Sequence, residues 1–217
     1  MDRGRLEAFS DGVFAVAITL LALSLAVAGP GKGHPSLAHQ LGDRWPGFVA
    51  YLISFFTVGI IWVNHHALIS NLSVVDRTLL FLNLVLLLFV VMVPFATGTV
   101  ADYLSHDDFD AKVAVAVYGG VLVGMSIGFG AMFEWSLGAG RSKVAVPRDQ
   151  WWRARVRFTS GGLIYAAMVG LAFWNAIVAF ALSGVVAAYY VFEQTPAARA
   201  PGAAGSDAAP PPPRDPE

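Results

Sequence analysis

Six apolar runs of roughly the length that crosses a lipid bilayer dominate the sequence. A membrane-spanning helix needs about 20 consecutive, mainly apolar residues. By that measure, spans are predicted at residues 9–28, 46–68, 79–101, 113–137, 158–173 and 175–192. The last two form one apolar block that is too long for a single ordinary span. Its polar interruption at Trp174 and Asn175 predicts a tight hairpin of two short helices. The predicted fold class is therefore an all-α integral membrane protein with six transmembrane helices.

The composition excludes several other classes of protein. Hydrophobic residues make up 56% of the chain and charged residues 13%, whereas an average soluble domain is about 25% charged. The chain has no cysteine, which excludes disulfides, a thiol nucleophile and a thiolate metal site. A net charge of -1 gives no sign of a basic surface for nucleic acid. The first apolar run is longer than the core of a signal peptide, so we expect it to be retained as a helix.

Lysine and arginine are unequally divided between the two sides that six spans define. Lys32, Arg44 and Lys112 fall on one side. The other side receives Arg3, Arg5, Arg77, Arg141, Lys143, Arg148, Arg153, Arg155, Arg157, Arg199 and Arg214. Because loops rich in these residues stay in the cytoplasm, both termini are predicted to be cytoplasmic.

The end of the chain differs in composition from the rest. Residues 195–217 consist mainly of alanine, glycine and proline, a composition that cannot bury a core. They are predicted to form a disordered cytoplasmic tail after a transmembrane domain of residues 1–194.

Polar residues at the cytoplasmic ends of the first three spans are predicted to share one layer. The members are Arg5, Glu7, Ser10, Asp11, Asn64, His65, His66, Asp76 and Arg77. As structure, pairs of opposite charge would fix how the helices pack. As chemistry, Asp11 and a histidine could relay protons or bind a cation. Neighbouring histidines point about 100° apart on a helix, so His65 and His66 are not expected to share a metal ion.

One face of the first span carries an apolar stripe. Val16, Leu20, Leu23 and Val27 recur at steps of four, three and four residues, which is helical spacing. Thr19 borders the stripe. Asp11 lies about 140° around the helix from Val16, so it is predicted to face its own protomer while the stripe faces elsewhere. Lipid contact and ordinary helix packing both remain open from the spacing alone.

Motifs of common catalytic sites are missing, and no enzyme activity is predicted. The sequence contains no HExxH, GxSxG or GxxxxGK[ST] motif. Gly120, Gly124 and Gly128 repeat every four residues in the fourth span, which predicts a smooth stripe that lets another helix approach closely.

A short motif that opens the first span resembles a known family. Arg5, Phe9, Ser10 and Asp11 form the pattern RxxxFSD, followed by GVFAVAITLLAL, and the second span ends in WVNHHAL. These stretches resemble the transmembrane protein 175 family of potassium channels in its bacterial single-repeat form. The resemblance extends over about residues 5–192.

The resemblance implies a passive potassium channel of the bacterial plasma membrane. It implies a homotetramer in contact with lipid, in which the first helix of each protomer lines a central pore. Neither the family nor this sequence has the TVGYG filter. Large apolar side chains would constrict the pore instead. Carried onto this chain, the apolar rings are Val16, Leu20 and Leu23, and Thr19 forms a hydroxyl layer.

The resemblance also implies a role for the signature residues. Arg5, Ser10 and Asp11 would hold the first helix against the second and third, with Trp62, His65 and His66 as partners. Potassium would be the permeant ion, with no cofactor and no tightly bound metal. Val16 is smaller than the isoleucine or leucine expected at the innermost ring.

Two other functions remain open. In the first, the protein conducts protons or couples transport to them, using Asp11 with His65 or His66. In the second, it is a membrane scaffold without transport.

Overall fold

The computed structural model describes residues 2–27, 36–106, 109–143 and 151–193, and the regular elements in those ranges are helices. The main helices are α1 (Arg3–Leu21, continued by a 3₁₀ turn at Ala22–Leu25), α2 (Leu37–Asp43), α3 (Trp45–Ser70), α4 (Arg77–Tyr103), α5 (Phe109–Ser136), α6 (Trp151–Ala172) and α7 (Ala176–Glu193).

Four of these helices are long and apolar enough to cross a membrane: α1 with its 3₁₀ turn, α3, α4 and α5. The helices α6 and α7 contain shorter apolar segments, Ser160–Ala172 and Ala176–Val191. Each predicted span coincides with one of these six helices, although the ends differ by several residues. The predicted disordered tail, residues 195–217, lies outside the described residues.

The structure departs from the predicted spans at α1 and α2. The first span is predicted from residue 9, but α1 begins at Arg3 and its regular α-helix ends at Leu21. The short helix α2 is absent from the prediction. It is capped by the Ser36 side chain, which accepts a hydrogen bond from the His39 N–H, and it buries no residue. A helix of seven residues that buries no side chain is too short to be recognised as a membrane span.

The start of α1 is fastened to the end of α3. The Arg3 Nη1 donates to the Ser70 carbonyl at 2.9 Å, and the Lys143 Nζ donates to the same oxygen at 2.8 Å. Cations are favourable at a helix C-terminus, where the carbonyls lack helical partners. The Ser73 N–H also donates to the Arg141 carbonyl. The start of α1, the α3–α4 connection and the segment after α5 therefore meet at one end of the bundle.

Close packing of α4 against α5 depends on two of the three predicted glycines. A Cβ added to Gly128 would lie 2.9 Å from the Leu86 Cα of α4, and one added to Gly124 would overlap the Phe89 ring. A Cβ on Gly120 would meet no atom within 4 Å. Positions four apart advance by about 40° around a helix, so the stripe drifts and Gly120 no longer faces α4.

We expect Gly128→Ala to destabilise the protein by about 1–3 kcal/mol, the usual cost of overpacking. The added methyl group would meet the backbone of α4, which cannot rotate away as a side chain could. Gly120→Ala is the matched control, because its methyl group has room and alanine is the better helix former. Thermal unfolding followed by tryptophan fluorescence compares the two variants. Equal melting temperatures would contradict this account of the α4–α5 contact.

The last two helices form a hairpin at the predicted interruption. Trp174 and Asn175 lie between α6 and α7, and the Asn175 Oδ1 accepts the Val178 N–H at 2.9 Å, as an N-cap does. At the other end of α6, Arg155 donates two hydrogen bonds to the Glu134 carboxylate of α5, at 2.6 and 2.8 Å. These bonds raise the pKa of the Arg155 guanidinium, and the pair joins the hairpin to α5.

Candidate functional site

The helix α1 has one face packed inside its own protomer and one face left open. The buried face consists of Leu6, Ser10, Phe14, Ala17 and Leu21. On the other side, the side chains of Val16, Leu20 and Leu23 are 57%, 40% and 70% exposed. Thr19 is exposed among them. The protomer therefore leaves the apolar stripe of α1 available to something outside itself.

Asn83 of α4 is the centre of a buried hydrogen-bond chain that joins three helices. Its Oδ1 lies 2.8 Å from the His65 Nε2 of α3, which donates to it when the ring carries its proton on that nitrogen. Its Nδ2 donates to the Ser10 Oγ of α1 at 3.0 Å. The Ser10 hydroxyl in turn donates to the Leu6 carbonyl at 2.9 Å. With a proton on the His65 Nε2, each of these three contacts pairs one donor with one acceptor.

Two acidic side chains of α1 contact α3 next to the hydrogen bonds around Asn83. The Trp62 indole Nε1 donates to the Asp11 Oδ1 at 2.8 Å. The His66 Nδ1 lies 3.1 Å from the Glu7 Oε1, and the His66 and Trp62 rings are 6.0 Å apart between centroids. The structure thus joins Asp11 to Trp62 directly and Ser10 to His65 through Asn83. His66 contacts Glu7 and the Trp62 ring instead. His65 is buried, whereas the pair formed by His66 and Glu7 lies at the surface of the protomer.

Arg5 and Phe9 do not take part in these contacts. Both side chains are exposed, and within the described ranges no hydrogen bond or ion pair joins Arg5 to another residue. Arg5 precedes Val16 by eleven positions, which places it within about 20° of Val16 around the helix. The first two residues of the signature therefore share the open face, and the last two face the protomer. The arginine that contacts α3 is Arg3.

Thr19 has its hydroxyl proton committed to its own helix. The Thr19 Oγ1 donates to the Val16 carbonyl at 2.8 Å. A hydroxyl has one proton and two lone pairs, so the oxygen remains able to accept a hydrogen bond or contact a cation. Leu23 lies within the 3₁₀ turn rather than in the regular helix, which puts it beyond the end of the α-helical part of the stripe.

The contacts described above hold one side of α1 against α3 and α4. Among the residues that the structure describes, no three His, Cys, Asp or Glu side chains come together in a way that could hold a metal ion. Several copies of α1, each with its open face inward, could enclose a narrow passage. The passage would be lined by apolar side chains and one layer of hydroxyl oxygens.

Comparison with known proteins identifies the family. The family model described as the endosomal/lysosomal potassium channel TMEM175 matches residues 5–94, which hold the whole hydrogen-bond chain around Asn83. A Streptomyces collinus protein named as a potassium channel is 44% identical over 201 residues, which cover 90% of this chain and 94% of that protein. This chain belongs to the TMEM175 family.

Solved structures related to TMEM175 share the fold. A homolog from Chamaesiphon minutus, described as a lysosomal potassium-selective channel TMEM175 homolog, matches with a TM-score of 0.76 and 32% identity, over 88% of this chain and 97% of that one. A variant of the potassium channel MtTMEM175 matches with a TM-score of 0.57 and 18% identity, over 90% and 94% of the two chains. The second similarity concerns the fold alone.

Vertebrate TMEM175 proteins carry a different functional name. The Gallus gallus protein, named as an endosomal/lysosomal proton channel, is 34% identical over 120 residues. That match covers 51% of this chain but only 24% of the vertebrate protein. The chain thus corresponds to about a quarter of the vertebrate protein's length.

Proposed function

We propose that the protein is a passive potassium channel whose pore is constricted by apolar side chains of α1. The observation that carries the proposal is the exposed apolar stripe of α1. The opposite face of the same helix is joined to α3 and α4 by the buried hydrogen bonds around Asn83. Membership of the TMEM175 family and the names of the bacterial relatives support potassium as the permeant ion.

The proposed assembly is a homotetramer in the bacterial plasma membrane. Each protomer contributes six transmembrane helices, α1 and α3 to α7, with both termini in the cytoplasm and a tail at residues 195–217. One α1 helix cannot enclose a pore, so a pore lined by this stripe would need further copies of the chain. A groove beside the stripe, lined by Phe9, Val13, Val16, Leu20 and Val91 of α4 among others, offers a neighbouring copy an apolar surface.

Rings of Val16, Leu20 and Leu23 would act as a hydrophobic constriction. Apolar side chains at one level exclude water from a narrow pore, and ions pass when the ring widens or wets. The Thr19 oxygen would contact a partly dehydrated cation between these levels. In this proposal two residues of the signature, Arg5 and Phe9, would border the cytoplasmic mouth of the pore. The others would position α1 without lining the pore: Ser10, Asp11, Trp62, His65 and His66.

Potassium flux into liposomes tests the function directly. Purified protein is reconstituted with a potassium gradient and a proton ionophore for charge balance, and protein-free liposomes serve as the control. We expect potassium uptake that depends on the protein, and a tetramer by native mass spectrometry. A protein that is monomeric in detergent and in bilayers, and that passes no potassium, is the membrane scaffold and not a channel.

A proton-conducting protein is the second candidate, favoured by the names of the vertebrate relatives. The groups available for it are Asp11, the Glu7–His66 pair and His65. The Asp11 carboxylate is occupied by the Trp62 indole, and the Nε2 of His65 is occupied by Asn83. Of these groups, only the Glu7–His66 pair combines two titratable side chains in contact.

Asp11→Asn separates the two candidates. We expect this variant to assemble and to pass potassium, because the amide oxygen can still accept the Trp62 N–H, at a cost of about 1 kcal/mol for losing a charged acceptor. Potassium flux and pH-driven proton flux are measured on the same vesicles. Loss of proton flux with potassium flux intact would support the second candidate. Loss of potassium flux from a correctly assembled variant would contradict a purely structural Asp11.

A further inference from the structure

A small cavity lies between α3 and the last three helices, on a different face of α3 from His65. Its volume is about 60 Å³. Polar side chains from four helices reach its wall, namely Thr57 and Asn64 of α3, Ser126 of α5, Tyr165 of α6 and Tyr190 of α7. The remaining wall is apolar, with Ile60, Ile61 and Phe129 among the lining residues.

The hydroxyl of Tyr165, on the wall of this cavity, lacks a hydrogen-bond partner among the described residues. The Tyr165 side chain is only 7% exposed. A buried tyrosine normally pairs its hydroxyl, because an unpaired polar group inside an apolar environment is unfavourable. Tyr118, which is fully buried nearby in the bundle, follows that rule by pairing with the Ser54 hydroxyl at 3.1 Å.

The size and lining of the cavity fit water better than a larger ligand. One water molecule needs about 10–15 Å³ of cavity volume, counted as the space open to the centre of a water molecule, whereas a cavity that admits benzene is about 150 Å³. A cavity of about 60 Å³ therefore has room for about four to six waters. Gly161 keeps one wall open, since a Cβ there would lie 3.4 Å from the Tyr190 hydroxyl oxygen.

We propose that this cavity is an intramembrane water-binding site, in which water accepts the Tyr165 hydroxyl proton and bridges α6 to the polar side chains of α3 and α5. A bridging water needs two to four polar partners, and the five polar side chains on the wall supply them. The site lies outside the path formed by α1, so the proposal does not depend on which ion the protein conducts.

Radiolytic hydroxyl-radical labelling tests the proposal, because radicals formed from bound water oxidise the side chains beside it. The full-length protein in lipid nanodiscs is irradiated, and oxidation of Tyr165 is compared with that of Tyr118 by mass spectrometry. We expect Tyr165 to be oxidised several-fold faster than Tyr118. Equal, slow oxidation of both tyrosines would show that the cavity is dry and would overturn the proposal.

A cavity-filling variant locates the water. Ala187 lines the cavity, so Ala187→Leu should displace the water and reduce Tyr165 oxidation to the Tyr118 level. The control is Ala181→Leu, which adds the same side chain at an exposed position of α7 and should leave Tyr165 oxidation unchanged. Ser126→Leu replaces the first variant if Ala187→Leu elutes as an aggregate. Unchanged Tyr165 oxidation in a folded filling variant would place the water elsewhere and reject the site.

Discussion

Protein that carries Leu20→Ala or Leu23→Ala is expected to pass potassium into liposomes on the order of tenfold faster than the unsubstituted protein, which corresponds to lowering the barrier by about 1.4 kcal/mol. Each substitution removes three carbons from every copy of an apolar ring. A wider ring holds water more readily, and a wetted constriction conducts. The same widening should reduce the preference for potassium over sodium, because the ions then pass with more of their hydration shell.

The control for both variants is Leu163→Ala, which makes the same change on an exposed position of α6 outside the α1 stripe. Leu20 belongs to the regular helix and Leu23 to the 3₁₀ turn, so the pair also shows which of the two levels is the tighter. Unchanged flux in both α1 variants, or an equal increase in Leu163→Ala, would mean that the stripe does not constrict the pore.

The open face of α1 could be predicted because only one helix is involved. A fixed advance of 100° per residue is enough to place Val16 and Leu20 together and Asp11 away from them. The structure has that arrangement, with Val16 and Leu20 exposed and Asp11 bonded to Trp62 of the same protomer. Whether a ring of copies closes around the stripe remains a prediction, since it concerns contacts beyond one protomer.

Helical spacing alone does not predict which residues of neighbouring helices contact each other. The sequence shows that Asn83 lies in an apolar span, but not that α4 turns it toward Ser10 and His65. Likewise, Arg3 and Arg5 stand about 200° apart on one helix, and the spacing alone does not say which one meets α3. The choice depends on how each helix is rotated against its neighbours, and packing across the whole bundle decides that rotation.

Asn83→Ala is expected to destabilise the protein by about 1–3 kcal/mol, the cost of leaving buried hydrogen-bonding groups without partners. Asn83 is 1% exposed, so water cannot replace its amide. Its loss leaves the His65 Nε2–H without an acceptor and the Ser10 oxygen without a donor. Hydrogen bonds between transmembrane helices are often worth only about 0.6 kcal/mol, but Asn83 makes two of them and its removal also leaves a void.

Thr99→Ala on the same helix is the matched control, because the Thr99 hydroxyl donates only to the Ala96 carbonyl of its own helix. Ser10→Ala should fall between the two, since it removes one of the two bonds that Asn83 makes. Thermal unfolding of the three variants, with potassium flux measured in parallel, gives the comparison. If the chain around Asn83 holds α1 in place, the loss of stability and any change in flux should follow the order Asn83→Ala, Ser10→Ala, Thr99→Ala. Similar melting temperatures for all three would mean that apolar packing alone positions α1.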